Sequence, residues 1–441
     1  MQIVLLSGGS GKRLWPLSND VRSKQFIKIF VDENGERQSM VQRVFAQIKE
    51  AQPDANITIA TNISQIDSIR NQLSDNVDVV VEPERRDTFP AIMLACAYLA
   101  LEKEVALDET VIVLPVDSFA DLSFFSAMTM LDKIIKNNLS NIALVGIKPV
   151  IPTGKYGYIV PKEEIEENVY SVSQFVEKPT EKTAELLINK GAYWNGGVFA
   201  FKLGYAMKIV KETLPFDSFE VLCKQYSKLK KTSFDYEVVE KAERVAVLPY
   251  LGKWTDIGTW RTLTDEMTQS NIGTNTIENT RNTFVINELS IPIVALGTHD
   301  LIIAASPDGI LVSDLVASSH LKPVVDKLDN SRPMYEECQW GEYTVLNQDN
   351  NCIVKKLSLS AGKSISYQTH KEHDEILAVT SGEGELEVDG IASRITAGYV
   401  AKVSRGQKHK IMAVTDLQII ETQIGDVLVE EDIKKYDEVN I

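Results

Sequence analysis

The periodicity of this chain changes once, near residue 275, and that change bounds what it can fold into. Before it, short β-branched runs alternate with longer amphipathic segments. Ile3 to Leu6, Ile57 to Thr61, Val77 to Glu82, Thr110 to Pro115 and Asn141 to Ile147 read as strands, and Phe89 to Lys103 and Ser123 to Lys136 as helices. Strands alternating with helices predict a mostly parallel sheet covered on both faces, with ligands beyond the carboxyl ends of its strands. After the change, apolar runs are short and alternating, as in "NTFVINELSIPIVALGTHDLIIAASPDGILVSD", and a helical pattern returns only at Lys322 to Leu328. The polar stretch "KLDNSRP" follows, and a second all-β pattern runs from about Cys338 to the end. The expected domains are 1–270, α/β; 271–335, a β connector with a helix; and 336–441, all-β. A length of 441 residues also favours more than one core.

A formal charge of -16 argues against a nucleic acid or an anionic membrane as partner. Any polyanionic ligand must then meet local cations or a metal. The four cysteines, Cys96, Cys223, Cys338 and Cys352, are scattered and form no C-x-x-C pair, so no disulfide framework is expected. With no signal-peptide pattern and no apolar run of membrane-spanning length, the expected location is the cytoplasm.

Directly after the first strand stands "LLSGGSGKRLWPLSNDVRSKQF". The dinucleotide pattern G-x-G-x-x-G fails here because Leu14 occupies the third glycine's place, and the pattern G-x-x-x-x-G-K-[ST] fails because Arg13 stands where a hydroxyl is needed. What remains is a backbone able to wrap phosphates through its N–H groups, with Lys12, Arg13 and Lys24 at hand to neutralise them. Read alone, the glycines fit a surface turn with solvated cations equally well.

The longer string resembles the signature of the sugar-phosphate nucleotidyltransferases, and its Leu14-Trp15-Pro16-Leu17-Ser18 continuation is similar to the mannose-1-phosphate guanylyltransferase branch. Supporting stretches follow in order: "EPERRDTFPAI", "LPVDSF", "FVEKP", "YWNGGVFAF" and "FDYEVVEKAERVAVLPYLGKWTDIGTW". The resemblance implies a Rossmann-like, GT-A-like nucleotidyltransferase domain. It would transfer GMP from GTP to mannose 1-phosphate with Mg2+, supplying GDP-mannose for nucleotide-sugar and surface polysaccharide synthesis. It admits another sugar 1-phosphate as substrate, a silent nucleotide sensor, and a homodimer. By the same resemblance Leu6, Gly8, Gly9, Gly11, Lys12, Glu82, Arg86, Asp87 and Thr88 would surround the nucleotide, and Arg13 and Lys24 would hold the triphosphate. Asp117 and Asp256 would share the Mg2+, and Gly157, Glu177, Lys178, Asn195 and Gly196 would face the sugar phosphate. The branch usually has Asn where this chain has Asp87, His where it has Ser118, and Tyr-Pro where it has Arg22-Ser23. A carboxylate at 87 suits the two adjacent donors of guanine.

Of five histidines, His370, His373 and His409 fall in the last hundred residues, in alternating strands with glycine turns typical of a double-sheet barrel. Gln368, His370, Glu375 and His409 form a Q-x-H-x4-E set plus a distal histidine, whose types suit Zn2+, Fe2+ or Mn2+. This resembles the cupin barrel of type II phosphomannose isomerases, which implies a second activity on mannose 6-phosphate. The family's His-His-Arg run is here Lys371-Glu372-His373. A metal-free barrel serving stability or dimerisation is the alternative.

Overall fold

The computed structural model describes residues 1–9, 11–19, 21–73, 77–328, 333–429 and 432–436. Most of the "KLDNSRP" linker, and Ser10 and Asp20 of the glycine-rich stretch, lie outside them. The chain forms two units, one built from Met1–Ser10, Gln25–Ile66 and Leu73–Thr268, the other from Gly11–Lys24, Asp67–Gln72 and Gln269–Ile441.

In the first unit the β-branched runs become a nine-stranded sheet. Its order is Asp78–Glu82, Asn56–Asn62, Gln2–Leu6, Thr110–Pro115, Tyr193–Lys202, Ile142–Ile147, Val245–Tyr250, Val169–Val176 and Tyr158–Glu166. The first four are parallel, with Ile3 level with both Ile57 and Ile112. Strands buried on both faces need unbroken Val, Ile and Leu runs, and the two central ones have them in Ile3–Leu5 and Val111–Leu114, all buried. Tyr193–Lys202 enters antiparallel between Thr110–Pro115 and Ile142–Ile147, and the latter is parallel to Val245–Tyr250. The helix Thr88–Leu101 is apolar on all sides and buried against this sheet. The single helix expected over Ser123 to Lys136 is two, Leu122–Ser126 and Met128–Lys136, joined at Ala127.

The second unit is strand-rich. Asn271–Ile272, Phe284–Asn287 and Leu301–Ser306 pair in parallel, and Gly309–Asp314 returns antiparallel. The helix expected from Lys322 to Leu328 is confined to Lys322–Val325. Beyond it, a six-stranded and a five-stranded sheet enclose a core that includes Ile353, Leu377, Leu386, Ile411 and Ile419. Along Cys352–Leu359 buried and half-buried residues alternate, the period-2 pattern of a strand with one face inward.

Candidate functional site

In the first unit, the chain leaving Thr110–Pro115 turns into Ser118–Ala120, which pairs antiparallel with Trp254–Asp256 so that Ser118 lies opposite Asp256. The Ile257 N–H donates to the Asp117 carbonyl at 3.2 Å. Two acidic residues far apart in sequence are thus neighbours beyond the carboxyl end of a central strand. Both act on one phenol: Tyr156 is pushed up to about 12, first by burial and then by the charges of Asp256 and Asp117. Its ring packs on Trp194 and Trp254, with centroids at 4.9 and 5.7 Å.

A second acidic group gathers around a bulge. The register of Tyr193–Lys202 shifts between Asn195 and Phe199, with Gly197 at φ 71°. A side chain on Gly196 would press on the Val145 carbonyl at 3.2 Å. The bulge fixes Asn195, whose N–H donates to the Gly157 carbonyl at 2.8 Å and whose amide Nδ2 donates to Asp235 Oδ1 at 2.6 Å. Asn195 Oδ1 accepts from the Gly197 N–H at 3.1 Å. Gly157 is bare because Glu177 stands over it: a Cβ there would lie 2.4 Å from Glu177 Oε2. Lys178, at φ 44°, reaches back to Glu177 Oε1 at 3.0 Å. Burial, then the charge of Glu177, pushes Asp235 up to about 7, and burial also raises Glu177. Gly157, Glu177, Lys178, Asn195 and Gly196 are therefore close together, and Asp235, which the sequence reading did not single out, joins them. Asp235 lies inside "FDYEVVEKAERVAVLPYLGKWTDIGTW", a stretch that carried the family resemblance. The signal available for Asp235 was an acid following the fully buried Phe234.

On the other side, Leu6 ends the first strand, its carbonyl accepting from the Val116 N–H at 3.2 Å. A Cβ on Gly8 would lie 3.3 Å from Glu82 Oε1, and one on Gly9 would meet nothing. Glu82 is pushed up to about 7 by burial, against the hydrogen bond that Tyr226 donates to its Oε2 at 2.8 Å. Asp87, exposed and at φ 74°, starts the Thr88–Leu101 helix by accepting the Thr88 N–H on Oδ1 at 2.8 Å. Arg86 Nε donates to the Leu229 carbonyl at 3.0 Å and Thr88 Oγ1 accepts from the Phe234 N–H at 2.9 Å. These two bind the segment that carries Asp235.

The remaining signature residues, Gly11, Lys12, Arg13 and Lys24, belong to the second unit. A Cβ on Gly11 would lie 2.1 Å from the Asn19 carbonyl, so this glycine serves closure of the loop itself. The loop is fastened to the parallel strands. Arg22 forks onto Glu288 at 2.7 and 2.9 Å, Asn19 Nδ2 donates to Asp308 at 2.6 Å, and Ser306 Oγ donates to the Pro16 carbonyl at 2.7 Å. The guanidinium also lies 4.8 Å over the Tyr335 ring. Burial opposes its charge, but Glu288 outweighs that and raises Arg22 above its ordinary range. Lys12 stands 3.7 Å from Asp326, and Arg13 is exposed.

In the barrel, Glu375 is the hub. His370 Nε2 lies 3.1 Å from Oε1 and His409 Nε2 3.1 Å from Oε2, all three residues being buried. Gln368 Nε2 is 3.4 Å from His370 Nε2. Burial works against the Glu375 charge, yet the three histidines around it hold its carboxyl well below the usual range. The ligand atoms of His370, Glu375 and His409 lie within 4.8 Å of one another, a spacing that suits one ion. His370 and Glu375 line a cavity of about 550 Å3 that also takes in Lys355, Lys410 and Lys435.

An α/β sheet with two acidic clusters beyond its strand ends, joined to a strand-rich unit with a barrel, defines a nucleotidyltransferase carrying a cupin-like appendage. Residues 2–271 match the profile described as nucleotidyl transferase, and residues 328–438 match mannose-6-phosphate isomerase, C-terminal. The first match covers more than half of the chain, which belongs to the nucleotidyl transferase family. Mannose-1-phosphate guanylyltransferase 2 of Escherichia coli O157:H7 is 28% identical to it over 99% of this chain and 97% of its own. The alginate biosynthesis protein AlgA of Pseudomonas fluorescens is 26% identical over 99% and 96%. Among solved structures, the Thermus thermophilus protein described as mannose-1-phosphate geranyltransferase superposes with a TM-score of 0.63 at 29% identity, covering 74% of this chain and 99% of its own.

Proposed function

We propose that this chain transfers GMP from GTP to α-D-mannose 1-phosphate, giving GDP-mannose and pyrophosphate for nucleotide-sugar and surface polysaccharide synthesis. The observation that carries the reading is the pairing that sets Asp117 beside Asp256 beyond the sheet, with the Glu177, Asn195 and Asp235 cluster in the same unit. In the reaction a sugar-phosphate oxygen bonds to the α-phosphorus of GTP while the bond from that phosphorus to the bridging oxygen breaks, and pyrophosphate leaves with the electron pair. Such transfers depend on positioning and on neutralising charge.

Two adjacent carboxylates suit a hard divalent cation, so Asp117 and Asp256 would hold Mg2+. When bound, the ion would neutralise phosphate charge. Glu177 and Asn195 would accept and donate hydrogen bonds at the sugar hydroxyls, with Asp235 fixing the amide of Asn195, and Lys178 would meet the sugar phosphate. Asp87 would accept the two adjacent donors of guanine, its backbone held by the helix start. The cations Lys12, Arg13 and Lys24 are assigned to the triphosphate on the signature alone.

The division into 1–270, 271–335 and 336–441 is kept as a proposal. The free cysteines fit a cytoplasmic enzyme. No helix among the described residues is long and apolar enough to cross a membrane. A second reading concerns the barrel, where the His370, Glu375 and His409 set would take Zn2+ or another divalent transition metal and open the route to isomerising mannose 6-phosphate.

Pyrophosphate release, with the nucleotide-sugar product identified by mass, tests the main reading on a grid of GTP, ATP, CTP and UTP against several sugar 1-phosphates. The GTP and mannose 1-phosphate pair should lead. Preference for a pyrimidine nucleotide would overturn the base assignment, and preference for another sugar phosphate the substrate.

A further inference from the structure

The barrel holds one imidazole more than the expected ligand set uses. His373 stands two residues before Glu375 on the strand His373–Ser381, so both point to the same inward face. It is 2% exposed. Its Nε2 lies 3.5 Å from Glu375 Oε1, and its ring centroid 4.3 Å from that of His370. Its Nδ1 faces Asp432 Oδ2 at 3.2 Å. Asp432 is itself fixed from outside: its carboxylate accepts the backbone N–H of Lys371 at 3.0 Å and of Glu372 at 2.9 Å.

The Asp432 carboxylate stands beside Nδ1, and a carboxylate behind a histidine is the usual orienting partner of a metal-bound imidazole. At neither ring nitrogen of His373 does the protein supply a well-aligned hydrogen bond. For a buried ring that is unusual unless a further partner completes it. Two ligand atoms each about 2.0–2.2 Å from one ion are separated by about 3.0–3.5 Å. The separations of 3.1 and 3.5 Å from Glu375 Oε1 to His370 and His373 fall in that range, as does the 3.1 Å from its other oxygen, Oε2, to His409; ligand atoms of His370, His373 and Asp432 also lie within 4.8 Å of one another.

We propose that His373 is a ligand of a divalent transition metal in the barrel, within a set of three imidazoles and one carboxylate, His370, His373, Glu375 and His409, and that Asp432 is the residue positioning His373. This rests on the reading of the barrel as a metal site. It gives the substitution of His373 for the family's arginine a physical meaning, since a cationic side chain is replaced by one that can donate a lone pair.

Loading the full-length chain with Zn2+ tests this, by metal content per chain, a competition titration of affinity, and X-ray absorption at the zinc edge to count imidazoles. The wild type should bind one zinc with three imidazoles. His373→Gln should bind 10-fold or more weakly with two, and Asp432→Asn about 10–100-fold more weakly with the count kept at three. One zinc with two imidazoles in the wild type, or unchanged affinity in His373→Gln, overturns the assignment of His373 alone. The absence of zinc from the wild type, or a His409→Gln variant that binds it as well as the wild type, overturns the barrel as a metal site. The count in the wild type needs no variant to fold.

Discussion

Asp117 and Asp256 are ordinary aspartates until a two-stranded ribbon sets them side by side. Each alone would pass as a turn residue after a strand, and only their place in two ordered motifs made them legible. Asp256→Ala should lower turnover by about 10^2–10^3, the scale of losing one preorganised electrostatic group, with far-UV circular dichroism unchanged; wild-type turnover in a folded variant would remove this residue from the chemistry. Asp235 and His373 were not legible as site residues because partners remote in sequence, Asn195 and Glu177 for the first and Asp432 for the second, are brought to them only by the fold. Asp235 also gives a pH signature. Its folded value of about 7 lies above the ordinary 3.8, and Glu82 is raised likewise to about 7. The native chain therefore keeps protons that the unfolded chain releases, so stability falls as pH rises through the window from about 4 to 7. Asp235→Asn should flatten that fall in denaturant titrations at pH 5 and pH 8. An identical slope in the variant would contradict the assignment.

Among the elements, strands were the most readable, because a parallel strand covered on both faces has no polar side to interrupt its Val, Ile and Leu run. The glycine-rich loop was readable as a phosphate-type turn but not in its anchoring. Arg22 and Glu288 are 266 positions apart and Asn19 and Asp308 are 289 apart, so no local spacing announces either pair. The departure Arg22-Ser23 from the family pattern now has a local reason, since Arg22 is the fork that ties the loop to Glu288. Replacing Glu288 by Gln leaves a largely buried guanidinium without its countercharge, which should cost about 1.5–3 kcal/mol. Thermal unfolding would show it, and an unshifted midpoint would mean that the fork is not holding the loop. The interruption at Ala127 lies in a stretch whose apolar period runs on unbroken, so it was not visible beforehand.

For the molecule as a whole, a charge of -16 poses the problem that the proposed chemistry must solve, because both substrates are polyanions. Transfer should therefore vanish on chelation and return with added Mg2+, measured as pyrophosphate release; full activity in a chelator would leave the paired aspartates without their role. Ordered motifs revealed the two architectures and the main catalytic candidates, since motif order survives where single residues are ambiguous. The most direct test of the central claim is a crystal of the full chain grown with GTP and Mn2+, read by anomalous diffraction. The account predicts one manganese peak bridging the carboxylates of Asp117 and Asp256. A peak on neither carboxylate, or carboxylates too far apart to share one ion, would contradict it.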